Sequence, residues 1–179
     1  MDYTAITLNA AAKAMQDSVI PALASSGEYH ALEQAHLVWD ALRFARDRVD
    51  VIGERRRIEA IELAALIDRL LQTEAADTLA VTPRIGRMLV TTRSALADPM
   101  TTAQVHEELS SALGEMLTEL LEECDDSTPS LRSEIERAVL DHALRKLELD
   151  RAWLLPLGFD PDPSSVKDLQ DLLKGDIAV

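Results

Sequence analysis

The length, composition and charge of this chain set the first limits on its fold and function. Its 179 residues suffice for one compact domain, and its hydrophobic residues are mostly Ala and Leu, with only 3% aromatic residues, which favours helices over strands. Its net charge of -14 repels phosphate backbones and anionic lipid headgroups, so we expect neither nucleic acid nor a membrane surface as a partner.

The predicted helices begin with a segment over residues 4–20 that ends near Pro21, followed by a turn at ASSG, residues 24–27. Its inward stripe is predicted to contain Ile6, Ala11 or Ala12, Met15 and Val19. A second helix over residues 28–51 has the clearest apolar seam in the chain. The seam consists of Leu32, Ala35, Trp39, Leu42, Arg46 and Val49.

The third predicted helix starts after a break at Gly53 and runs to about residue 72. A loop leads to a fourth helix, for which Thr82 is the expected N-cap with Pro83 at the first helical position, and which ends near Ala97. Thr101 or Thr102 is expected to cap a fifth helix that reaches Cys124. Its expected inward residues are Val105, Leu109, Leu113, Met116, Leu117 and Leu120.

The sixth predicted helix is capped by Thr128, opens at Pro129 and ends before Pro156. Its buried stripe is predicted to be Leu131, Ile135, Val139, Leu149 and Trp153. An extended segment then leads to a short amphipathic helix over residues 165–174, stopped by Gly175. The sequence therefore predicts an all-α bundle of five or six helices over residues 1–156. Residues 157–179 are expected to form a tail that packs on the bundle or on a partner subunit.

The stretch GEYHALEQAH, residues 27–36, raises the question of a metal site, because His30, Glu33 and His36 are each three residues apart. Successive helical residues turn by about 100°, so the two histidines diverge by roughly 120° and cannot share one ion within this helix. Glu33 and His36 share a flank with Asp40, Arg43 and Asp47. Alternating charges in that register are typical of a solvated ladder of weak ion pairs.

A di-iron bundle site needs two E-x-x-H pairs, and only Glu33 with His36 supplies one. His106 and His142 fall on or beside apolar stripes, so both are predicted to face inward as neutral side chains that resist protonation, each with one hydrogen-bond partner. The alternative hypothesis is a metal-dependent or small-ligand-binding bundle enzyme that uses Glu33, His36, His106 and His142.

The remaining polar clusters favour structural interpretations. The basic run Arg55 to Arg57 is bracketed by acidic residues and is interpreted as a solvated helix start. The single cysteine, Cys124, excludes an internal disulfide and stands among acidic residues, which raise the pKa of a thiol and argue against a nucleophile. A ridge of glutamates on the fifth helix is interpreted as a solvated face; it comprises Glu108, Glu115, Glu119 and Glu122. No catalytic residue and no cofactor is predicted.

Two stretches resemble a bacterial family of small all-helical domains of unknown function. They are AAAKAMQDSVIPALASSGEYHALEQAHLVWDALRFARDRVD, residues 10–50, and IERAVLDHALRKLELDRAWLLP, residues 135–156. The first looks like the family's opening helix with its V-x-P-A-L turn, followed by an alanine-rich helix that closes with an Arg-acid pair, here Arg46 and Asp47. His36 stands where the family has an asparagine.

Members of that family are encoded beside, or fused to, phosphotransferase-like proteins of the aminoglycoside and choline kinase type, often near acyl-CoA dehydrogenases. The resemblance implies an accessory role and transfers no catalytic residue. We therefore expect a non-enzymatic interaction module that regulates or scaffolds a phosphotransferase-like partner. The long amphipathic helices also favour a homodimer. The first residues lack the basic and apolar segments of a secretory signal, which favours the cytoplasm.

Overall fold

The computed structural model describes residues 3–72, 79–124 and 129–174. The α-helices in these ranges are α1 (Thr4–Ala14), α2 (Ile20–Ser26), α3 (Tyr29–Arg48), α4 (Ile52–Leu71), α5 (Thr82–Ala97), α6 (Ala103–Glu123), α7 (Pro129–Leu154) and α8 (Leu169–Lys174). Short 3-10 turns occupy Leu155–Leu157 and Pro163–Ser165. The described residues contain no strand, and the prediction of an all-α bundle that ends in a short helix is confirmed.

The chain divides into two compact units. The first comprises Met1–Ile52 with Leu154–Pro161, and the second comprises Gly53–Trp153 with Asp162–Val179. The tail expected over residues 157–179 therefore contributes to both units, since its first part belongs with α1 to α3 and its later part with α4 to α8.

In the first unit, α1 packs along α3, and the two helices meet at small side chains. Ala12 and Ala35 are the buried residues here, and small side chains let helix backbones approach closely. Every member of the predicted seam of α3 is at least partly buried, so that prediction is confirmed. In the first predicted helix, the inward stripe is correct at Ala12 but wrong at Ile6 and Val19, whose side chains are exposed.

The predicted end of the first helix at Pro21 is wrong. The chain remains helical through a π-helical segment, Met15–Val19, and Pro21 lies in the first turn of α2. A proline has no N–H and its ring clashes with the carbonyl four residues earlier, so an ordinary α-helix would break there. The wider π turn reorganises the hydrogen bonds just before the proline. The helix ends instead at Gly27, whose φ of 75° is the left-handed conformation that glycine adopts without strain.

The second unit contains the main hydrophobic core. Its buried side chains come from α4, α5, α6 and α7, together with Val81 before α5 and Cys124 after α6. The fully buried large ones include Ile67, Leu70, Ile85, Leu113, Leu120 and Ile135. The tail contributes as well, because Leu173 of α8 is buried.

The N-terminal ends of α5 and α6 are capped in different ways. The Thr102 hydroxyl accepts a hydrogen bond from the Val105 N–H at 3.4 Å, which confirms one of the two expected caps of α6. The prediction of Thr82 as the N-cap of α5 is wrong, because the helix starts at Thr82 and its N-cap is Val81. The Glu123 carboxylate, at the end of α6, accepts hydrogen bonds from the N–H groups of Ala80 and Val81 at 2.6 and 3.0 Å.

Other predicted boundaries need smaller corrections. Gly53 lies inside the first turn of α4, and the break precedes it at residues 49–51. The short helix is narrower than expected, because it begins at Leu169 after a 3-10 turn. The expected end of the sixth helix before Pro156 is confirmed at Leu154. The expected cap at Thr128 and the stop at Gly175 lie outside the described residues.

Candidate functional site

The histidine and glutamate stretch on α3 is a solvated face. His30, Glu33 and His36 are all exposed. Farther along the same helix, Arg43 lies 4.0 Å from Asp40 and its guanidinium stacks 4.6 Å from the centre of the Trp39 ring. Contacts of this kind between exposed groups contribute little to stability.

His106 lies on the inner side of α6, with 5% of its surface exposed. Neither ring nitrogen makes a hydrogen bond of ordinary geometry with the described residues. Burial lowers the pKa of His106 and the nearby Arg57 charge lowers it further, while the Ala95 carbonyl acts in the opposite direction. The inward orientation and the resistance to protonation agree with the sequence prediction, whereas the expected hydrogen bond of ordinary geometry is not found among the described residues. The predicted inward position of Val105 is wrong, because its side chain is exposed.

His142 lies half-buried on α7 and lines a pocket of about 310 Å³ between α4, α6 and α7. Its Nδ1 atom is buried and has no hydrogen-bond partner among the described residues. Burial lowers the pKa of His142, and the charges of Arg145 and Lys146 lower it further. These effects favour the neutral imidazole, whose Nδ1 atom is unpaired within the described ranges.

The four residues of the alternative metal hypothesis do not belong to one unit. Glu33 and His36 are in the first unit, and His106 and His142 are in the second. Across the described ranges, no three side chains of the His, Cys, Asp or Glu type form a group that could hold a metal ion.

A network of ion pairs lies beside the His142 pocket, and it corrects the interpretation of the basic run as a solvated helix start. Arg55, with a side chain only 11% exposed, pairs with Glu59 at 3.0 Å and with Asp150 of α7. Its guanidinium also stacks 4.5 Å from the centre of the Trp153 ring. Arg56 binds the second oxygen of Glu59 at 3.0 Å, so two arginines hold one carboxylate. This network joins α4 to α7.

A larger pocket of about 930 Å³ lies on the other side of Glu62, between α4, α7 and the tail that carries α8. The apolar part of its lining includes Ile58, Ile61, Leu149 and Leu172. Helices α4 and α7 also contribute charged side chains to the lining. The pKa of Glu62 is raised, mainly by burial and also by the neighbouring negative charge of Glu59. The positive charges of Arg145 and Lys146 act in the opposite direction. Glu62 therefore lines both pockets, and its burial disfavours the ionised form of its carboxyl group.

An exposed leucine face runs along α7. Leu140, Leu144 and Leu147 are 64%, 62% and 53% exposed. Their spacing of four and three residues places them on one side of the helix, opposite the buried Ile135 and Leu149. We call these three residues the leucine face. An isolated exposed leucine is ordinary, but three in register on one helix form a contiguous apolar surface.

Two remaining predictions concern α6 and its end. Cys124 is 2% exposed, so its thiol is closed to solvent. Of the glutamate ridge, Glu108, Glu115 and Glu122 are exposed, and Glu119 is half-buried and paired with Arg84. The interpretation of this ridge as a solvated face is correct for the exposed three.

Sequence reasoning missed the pocket-lining residues Glu62, Arg69 and Arg145. One signal was available for Glu62, which stands between Ile61 and Leu63 on a helix whose apolar residues wrap around two sides. A glutamate at such a position is surrounded by buried neighbours. The sequence contains no comparable signal for Arg69 or Arg145, because a charged residue on a long helix is ordinarily solvated.

None of the described helices has both the length and the apolar character required to cross a membrane. No protein-family model, no curated protein and no solved structure matches this chain.

Proposed function

We propose that the protein is a non-enzymatic accessory module in the cytoplasm, and that it docks a basic amphipathic helix of a partner protein on the leucine face of α7. The observation that carries the proposal is the exposure of Leu140, Leu144 and Leu147 in register on one helix. An apolar face of this kind is bound by a partner helix that has apolar residues at spacings of three and four.

The net charge of the chain favours a basic partner. The helical positions beside the leucine face carry charges of both signs, because Glu136, Asp141, Glu148 and Asp150 are acidic whereas Arg137 and Arg151 are basic. Three of these acids are already paired within the chain: Glu136 with Arg132, Glu148 with Lys167, and Asp150 with Arg55 and Lys146. The preference for a basic partner therefore comes from the net charge of the chain, which is -14 in each copy and opposes the approach of a second copy. A helix with leucines flanked by lysines or arginines is complementary in both shape and charge.

The partner implied by the sequence resemblance is a phosphotransferase-like enzyme. A binding titration between the two purified proteins tests that identity directly. The predicted homodimer remains a separate prediction. Because screening weakens repulsion between like-charged chains, a dimer formed through α7 would strengthen as salt is added.

A peptide titration tests the docking face itself. The probe is a helical peptide with leucines at a and d positions and lysines at the flanking positions, and its affinity is measured by fluorescence anisotropy. We expect Leu144→Glu to weaken binding at least tenfold, since it places a charge in the centre of the apolar contact. Added salt should also weaken binding.

Val90→Glu is the matched control, because Val90 is 65% exposed on α5, away from the leucine face. It introduces the same charge and should leave the affinity of the peptide unchanged. Equal losses for Leu144→Glu and Val90→Glu would contradict the proposal. So would tighter binding of a peptide in which glutamates replace the lysines.

A further inference from the structure

The larger pocket of the second unit is lined by charged groups, three of which form no ion pair with a described residue. Its apolar wall is made by α4 and α7 and includes the buried residues Ile58, Leu66 and Leu149. The volume of about 930 Å³ lies within the range of roughly 300 to 1,000 Å³ that is typical of small-molecule pockets. The pocket includes Glu148, which borders the leucine face, but none of the three leucines, and the inference does not depend on the proposed docking function.

Most charges around the pocket have partners. Lys167 pairs with Glu148 at 2.8 Å, and Lys174 lies 3.7 Å from Asp171. Asp168 accepts hydrogen bonds from the N–H groups of Gln170 and Asp171 at 2.8 and 3.4 Å, and so caps the start of α8. These groups are occupied by the fold.

Three charged side chains at the pocket remain. Arg69 of α4, Arg145 of α7 and Glu62 line the pocket, and none of them makes a side-chain hydrogen bond or ion pair with a described residue. Arg145 acts on Glu62 through its charge without forming an ion pair with it, and the three groups together are two guanidinium groups against one carboxyl group, in a chain whose net charge is -14. Guanidinium groups match the geometry of a carboxylate, with which they form two parallel hydrogen bonds.

We propose that this pocket binds an amphipathic monocarboxylate, with its head group on Arg69 and Arg145 and its hydrocarbon chain against the apolar wall of α4, α7 and α8. The wall residues Ile61, Leu149 and Leu172 remove the chain from water, and the arginines replace the hydration of the carboxylate. Glu62 opposes the same head group when it is ionised. Glu62→Gln therefore tightens binding.

Isothermal titration calorimetry with octanoate tests the proposal, using the whole chain. We expect octanoate to bind, octylamine to fail to bind, and octanol to bind at least tenfold more weakly than octanoate. Arg69→Gln and Arg145→Gln should each weaken octanoate binding about tenfold, the change that corresponds to losing roughly 1.4 kcal/mol of a charge-assisted contact. Both arginines are exposed, so the folded state should survive, which circular dichroism verifies.

Arg132→Gln is the matched control, since Arg132 lies exposed on the same helix and does not line the pocket. It removes the same charge from α7 and should leave the affinity for octanoate unchanged. Equal affinities for octanoate and octanol would overturn the proposal. Binding of octylamine in place of octanoate, or weaker octanoate binding after Glu62→Gln, would show that the carboxyl group of Glu62 selects the ligand and would also overturn it.

Discussion

At the scale of single residues, His106 is the most unusual group in the described chain. Its ring is almost completely buried, and both nitrogens lack hydrogen-bond partners. A buried polar group without a partner costs about 1 to 3 kcal/mol. Sequence reasoning placed His106 near an apolar flank, but it could not show how the Ala95 carbonyl of α5 lies relative to the ring nitrogens.

We predict that His106→Leu raises the free energy of unfolding by about 1 kcal/mol near neutral pH, because leucine needs no hydrogen bond. The effect should grow in acid. The folded state lowers the pKa of His106, so the unfolded state takes up the proton first, and the native protein loses stability as the pH falls below the ordinary imidazole value of about 6.5.

Urea unfolding of both proteins at about pH 7.5 and pH 5.5 measures the difference. Most other titrating groups are common to the two proteins, so the difference between their pH slopes reports on residue 106. Identical slopes would contradict the prediction. A variant less stable than the native protein at both pH values would show that leucine packs poorly at this position.

At the scale of helices, the start of α5 depends on a side chain from another helix. Glu123 accepts hydrogen bonds from the N–H groups of Ala80 and Val81, the two residues that precede the helix. We predict that Glu123→Ala lowers the free energy of unfolding by about 1 kcal/mol, as the loss of a helix cap does.

Glu122→Ala is the control for this substitution. Glu122 is the exposed neighbour on α6, and its replacement should change the free energy of unfolding by less than about 0.5 kcal/mol. Chemical denaturation measures both variants. Equal effects of the two substitutions would show that the contact at residues 80 and 81 does not stabilise α5.

The helices were largely predictable because their signals are local. Apolar spacing identified α3, α6 and α7, and Thr102 is a cap whose partner is three residues away. The errors have non-local or unusual causes. The cap of α5 comes from a residue more than forty positions later, and the π-helical segment before Pro21 has no established sequence signal. Likewise, the pocket depends on which faces of α4 and α7 meet, and this is decided by packing.

At the scale of the whole molecule, the two units differ in how much apolar surface they bury. Among the described residues of the first unit only Ala12 and Ala35 are buried, whereas the second unit has a cluster of large aliphatic side chains. Burial of large side chains contributes about 1.5 to 3 kcal/mol each, and alanines contribute far less. The first unit therefore has the weaker core.

We predict that backbone amides of α1 and α3 exchange with deuterium faster than those of α4 and α6. Local opening requires less free energy where few apolar contacts are lost. Hydrogen exchange followed by mass spectrometry measures this difference, after correction for the intrinsic rate of each peptide. Equal protection of the four helices would contradict the prediction.

The cap supplied by Glu123 also matters while the protein is being made. Residues 80 to 97 are synthesised before residue 123, so the N–H groups of Ala80 and Val81 gain the Glu123 carboxylate only after the chain has been extended to the end of α6. Because domains generally fold as units, we expect the start of α5 to be completed only when α5 and α6 have both left the ribosome and can pack together.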